Sequence, residues 1–162
     1  MSMLKAVSLK AICATVAAAM LFANTTCADT ATLATTRASF ADVVFELENA
    51  ILTRGLAIHS TGNQFARMLE RTGEAVGSTV VIYREATFVE ICSAKLARQM
   101  VEAEPSLMGN CPFVLFAYEL ASQPGEVRVG FRRLMPGATA AGQKAVAETE
   151  ALLDGIVRDA IK

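Results

Sequence analysis

The run CPFVLFAYEL, residues 111–120, constrains the fold more than any other part of the mature chain. It is continuously apolar, opened by a Cys-Pro pair and closed by the turn-forming segment ASQPGE. A short apolar run bounded by turn residues reads as a central strand. Directly after the turn, Val127, Val129 and Phe131 alternate with Arg128, Gly130 and Arg132. That period of two marks a half-buried strand, so the two segments form an antiparallel hairpin. A hairpin with so apolar a central strand needs a sheet around it and a layer packed on it.

The surrounding segments supply both. Ser39 and Asp42 stand in capping-box places before Phe40, Val43, Val44, Leu47 and Ile51, which share one helical face. Gly55 is suited to end that helix, and LAIHS, 56–60, reads as a strand. NQFARMLERTG gives a second amphipathic helix with Phe65, Met68 and Leu69 inward. STVVIYREATFVEIC, 78–92, is β-rich, with Arg84-Glu85 as a turn or irregularity within it. Ser93 can cap a third helix with Leu96, Met100 and Val101 on its buried face. Beyond Pro136-Gly137, Val146, Leu153, Ile156, Val157 and Ile161 fall at helical spacing. The expected fold is α+β: one mostly antiparallel sheet of about four strands, helices packed on it, and a long C-terminal helix within 135–162. Residues 29–38, threonine- and alanine-rich and without periodicity, read as a flexible lead-in to a domain spanning 39–134.

The N-terminal residues concern destination. Lys5 and Lys10, an apolar run from Ala11 to Ala23, and the small residues ending at Ala28 have the order of a secretory signal peptide cut after residue 28. The run is short of the roughly 20 residues a bilayer span needs, so no stable membrane span is expected after processing. A lipid anchor on Cys27 would want an aliphatic residue three places earlier, where Asn24 stands. The expected location is therefore the periplasm. Cleavage takes both lysines and no acid, so the mature chain is more negative than the full chain's formal −1. A slightly acidic surface argues against nucleic acid as a partner. A small ligand or a periplasmic protein suits better.

No phosphate-binding loop, Cys-x-x-Cys, His-Glu-x-x-His or Gly-x-Ser-x-Gly is present. No cofactor is evident from motifs, and an enzyme is not the favoured class. His59, the single histidine, sits at a strand end; its interest is an imidazole that titrates near neutral pH. Met100 is at a core-facing position, with packing as its default role and soft ligation as the weaker one. The cysteines stand apart. Of the four in the chain, Cys13 and Cys27 leave with the signal, and Cys92 and Cys111 remain. An even number in an exported chain favours a disulfide. Cys92 also precedes a helix start, where free N–H groups stabilise a thiolate. That placement favours a reactive thiol, or a site for a soft metal, haem or a sulfur-containing ligand. Antiparallel strands would bring both cysteines to one end of the sheet; parallel strands would hold them roughly 17 Å apart, beyond disulfide reach.

The segment SFADVVFELENAILTRGLAIHS resembles the opening of the family called domain of unknown function 302, in which a helix ends in Gly-Leu or Gly-Phe before a strand. Family members carry a Cys-Asn-Pro segment, a short helix, then Pro-Cys opening an apolar strand. Here Cys92-Ser93-Ala94 and Cys111-Pro112 take those places, without the Asn-Pro and with the proline after the cysteine. The resemblance covers about residues 38–134. It implies a small α+β domain with no agreed activity. It also implies that the cysteine pair occurs in members lacking an export signal, which strengthens the ligand or thiol reading of Cys92 and Cys111. The function expected is an exported small binding or accessory domain; a thiol-based redox protein and a disulfide-stapled interaction domain are the alternatives.

Overall fold

The computed structural model of the chain describes residues 30–162, so the expected signal segment lies outside the described residues. Five strands and four α-helices follow in the order β1 (Ala31–Thr36), α1 (Phe40–Leu52), β2 (Ala57–Thr61), α2 (Phe65–Gly73), β3 (Tyr83–Cys92), α3 (Ala94–Ala103), β4 (Phe113–Leu120), β5 (Val127–Arg132) and α4 (Ala140–Asp159). The strands make one sheet in the order β1-β5-β4-β3-β2, antiparallel throughout. The α+β class and the C-terminal helix are as expected.

The strand count is corrected from about four to five. The addition is β1, within the stretch read as a flexible lead-in. It pairs with β5 from Ala31↔Arg132 to Thr36↔Val127. Its own side chains bury little, and Leu33 is 49% exposed. What admits it is Gly130 on the neighbouring strand, where a Cβ would fall 1.8 Å from the Thr32 carbonyl oxygen. Backbone pairing, not an apolar face, makes this strand.

The helix starts follow their capping chemistry. The Ser39 hydroxyl accepts from the Asp42 N–H at 3.1 Å and donates to the Asp42 carboxylate at 2.6 Å. Thr139 opens α4 in the same manner, its hydroxyl accepting from the Gly142 N–H at 2.9 Å. A register shift between Tyr83 and Glu85 sits where Arg84-Glu85 was read as an irregularity.

Helices α1 and α4 cover one face of the sheet. Val43, Leu47 and Ile51 of α1 and Leu153 and Ile156 of α4 are all 0–1% exposed, against Val89, Leu115 and Phe131 of the strands. Each such side chain contributes roughly 1.5–3 kcal/mol by leaving water. Helix α2 corrects one expectation: it buries no residue, and Met68, read as inward, is 42% exposed. The helix stands on the opposite side of the sheet, near the edge, where Phe65 meets Tyr83 and Phe88 and Leu69 is half-buried.

Candidate functional site

The expected end-to-end meeting of the cysteines is present. β3 and β4 are antiparallel neighbours with Ile91 opposite Phe113. Helix α3 runs out from Cys92, and a 3-10 turn, Pro105–Asn110, carries the chain back. Cys92 and Cys111, 19 positions apart, thereby stand at disulfide distance with Cα atoms 6.1 Å apart. Cys92 is solvent-exposed and Cys111 half-buried. Ser93 caps α3, its hydroxyl accepting from the Leu96 N–H at 3.4 Å, so Cys92 does precede a helix N-terminus.

The other sequence candidates do not join this pair. His59 is exposed at the register shift in β2, and Met100 is 1% exposed within the core cluster. Among the described residues, no group of three or more His, Cys, Asp or Glu side chains could hold a metal ion. A soft metal at Cys92 and Cys111 is left with two sulfurs and no further protein donor of those types.

A second feature went unread in the sequence: a cleft on the uncovered face. Strand pairing sets Phe88 of β3 beside Phe116 of β4, and Ala86 beside Tyr118, on the face away from α1 and α4. Phe116 and Tyr118 lie two residues apart on one strand, their rings stacked 21° from parallel with centroids 6.2 Å apart. Tyr83 stands edge-on to Tyr118 at 5.4 Å and 66°. Phe65, from α2, meets Phe88 edge-on at 6.1 Å and walls the cleft on the β2 side. The space enclosed is about 260 Å³. Phe88 keeps its place because residue 62 is glycine: a Cβ there would fall 2.0 Å from the Phe88 ring.

No charged side chain lines the cleft. On the same face, Arg128 of β5 stands opposite Tyr118. Its hydrogen bond with Tyr118, and then that with Glu126, holds the guanidinium above its usual pKa. Gln123 and Glu126 accept its N–H groups at 2.5 and 3.0 Å, so partners outside the cleft lining hold it beside Tyr118. The sequence signal that could have found this face is Val114, Phe116 and Tyr118 alternating with Phe113, Leu115 and Ala117; the all-apolar run concealed which set the helices would cover.

Helices α1 and α4 on one side of a single five-stranded antiparallel sheet, with the other side aromatic and flanked by α2 at its edge, define an α+β domain. Residues 31–160 match the sequence model of the family described as "Domain of unknown function DUF302", and the chain belongs to that family. The match takes in the C-terminal helix as well as the segments whose resemblance was evident in the sequence. A solved structure titled "Crystal structure of uncharacterized conserved protein DUF302 from Bacillus stearothermophilus" is similar over 82% of this chain and 99% of its own, with a TM-score of 0.64 and 13% identity. That likeness is one of fold. No curated protein matches the chain.

Proposed function

We propose that this is an exported binding or accessory domain that holds a small ligand on the open face of its sheet. The observation that carries the reading is the aromatic cleft. A concave apolar space with few polar groups is the ordinary form of a small-molecule site, and stability gives no reason to gather five aromatic rings where water reaches them. In this reading Cys92 and Cys111 form a disulfide that ties β3 to β4 beyond the cleft, as suits an oxidising compartment. Export rests on the signal-like N-terminal residues; intact mass of the envelope protein should begin near Asp29, and a retained Met1 overturns it.

The cleft has a built-in reporter. The chain has two tyrosines and no tryptophan, and both tyrosines, Tyr83 and Tyr118, line the cleft. Ring NMR signals of the tyrosines should shift and saturate as a small apolar compound is titrated into the mature protein. Tyrosine signals that stay still across a panel of such compounds sink the proposed seat.

A redox reading keeps one supporting observation, the exposure of Cys92 at the start of α3. It requires a pair that opens under mild reductant. The metal, haem or sulfur-ligand reading at Cys92 and Cys111 requires uptake by the reduced native protein and none by a variant lacking both thiols.

A further inference from the structure

Resting on the cleft as the ligand seat, we infer that the ligand is an uncharged planar ring compound of one or two fused rings. Three properties of the cleft, each independent of the others, select that class.

Shape comes first. Phe116 and Tyr118 are stacked nearly parallel, 21° apart, on the outward side of β4, so the cleft offers ring faces and ring edges rather than branched aliphatic surface. A flat aromatic ring packs on such groups by offset stacking or edge to face, whereas a puckered or branched group touches them at a few points. Tyr83 stands at 66° to Tyr118 and Phe65 at 80° to Phe88. The lining rings thus already meet edge to face, the arrangement aromatic groups prefer, and a ligand ring among them can do the same.

Charge comes second. The lining is phenyl, phenol, aliphatic and Thr87. A ligand charge placed there would lose its water and find no counter-charge, and such burial is strongly unfavourable. Arg128, beside Tyr118, already donates to Gln123 and Glu126. The phenol hydroxyls of Tyr83 and Tyr118 leave room for a polar substituent, such as a hydroxyl or carbonyl, on the ring's rim.

Size comes third. At about 260 Å³, the cleft falls just below the range of roughly 300–1,000 Å³ typical of ligand sites. One or two fused rings fill it. A macrocycle the size of haem would leave most of its surface in water, so this cleft does not serve the haem expectation raised by the sequence.

The test uses the mature chain and three probes matched in carbon skeleton: 2-naphthol, which is planar and neutral; naphthalene-2-sulfonate, planar and anionic; and decahydro-2-naphthol, saturated and non-planar. Calorimetric titration measures affinity for all of them, and tyrosine ring NMR shifts report where they bind. We expect 2-naphthol to bind at least about tenfold more tightly than either of the others, as ring stacking and desolvation of charge are of that order. Phe116→Leu, which keeps an apolar side chain and removes one ring of the stacked pair, should weaken 2-naphthol about tenfold. Phe45→Leu, at an exposed phenyl on α1 outside the cleft lining, should leave it unchanged. If decahydro-2-naphthol or the sulfonate matches 2-naphthol while the tyrosine signals move, the seat stands and the ligand class is overturned. If no probe moves the tyrosine signals, the seat itself has failed, and the ligand class with it.

Discussion

The two faces of β4 belong to one strand and differ completely in what they meet. Phe113, Leu115 and Ala117 are all 0% exposed beneath the helices, while Val114, Phe116 and Tyr118, interleaved with them, are only half-buried. Both sets are apolar, so composition does not separate them. The difference lies in what the rest of the chain does: α1 and α4 close over the first set, and only Phe65 of the edge helix α2 approaches the second. One face holds the fold together. The other keeps apolar surface available, at the cost of leaving rings in water, and that is the mark of a surface used for something else.

Truncation on each face breaks or sustains that contrast with the largest effect. Leu115→Ala removes a fully buried side chain and should cost about 3 kcal/mol in denaturant unfolding, within the range for buried leucines. Phe116→Ala, one residue along, should cost about 1 kcal/mol or less despite deleting a larger group, because the ring is already partly solvated. Equal losses would mean that the open face is as much core as the covered one, and the binding reading would lose its foundation.

The cysteine pair provides the next test, since it joins the two strands that carry both faces. For a closed loop of about 20 residues, chain-entropy arguments put the stabilisation of a disulfide near 3 kcal/mol. The double change Cys92→Ala with Cys111→Ala should lower stability by about that amount and leave the tyrosine ring signals of the cleft in place. Thiol labelling of the native protein with and without reductant accompanies it. A pair that opens under mild reductant, with little stability lost in the variant, would favour redox chemistry over a staple.

Much of this contrast was legible in the amino-acid sequence, and what was missed has a common physical cause. The first helix could be read because its signals are local: Ser39 and Asp42 form their cap three residues apart, and Val43, Leu47 and Ile51 recur with the helical period. The hairpin of β4 and β5 was equally local. Strand β1 was missed because its reason for being a strand lies on another segment, at Gly130 of β5, whose missing Cβ admits the Thr32 backbone. The cleft was missed for a similar reason. Phe65, Tyr83, Phe88 and Tyr118 come from three elements, and only the strand register and the side chosen by α2 bring them together. The meeting of Cys92 and Cys111 was accessible from the expected antiparallel strand direction, whereas His59 and Met100 turn out to lie on the surface and in the core. Local chemistry fixes elements; pairing across the sheet fixes the site.

The smallest expected effect concerns how acid acts on the two sides. Glu104, just after α3, joins the helical layer: its Oε2 accepts from the Ala138 and Thr139 N–H groups at 2.8 and 3.0 Å, and its Oε1 from the Ser106 hydroxyl at 2.8 Å. The Thr139 backbone bond, followed by the Ser106 hydroxyl, holds this carboxyl below the usual carboxylate range. Asp159 is likewise lowered, by its bonds to Lys162 and then Arg54, the latter tying the end of α4 to the chain after α1. A carboxyl with a lower pKa folded than unfolded stabilises fully above its unfolded value, near pH 4, and that contribution disappears as pH falls through the folded one. Stability should therefore decline on the acid side below about pH 4, and Glu104→Gln should make that decline shallower without removing it, since Asp159 still contributes. The cleft, lined by uncharged side chains, should keep its tyrosine signals down to the onset of global unfolding. Unfolding midpoints measured at pH 7 and pH 3, for both proteins, decide it: an unchanged slope in the variant shows that Glu104 is not a source of the acid sensitivity, and tyrosine signals that move first show that the open face depends on a charge outside its own lining.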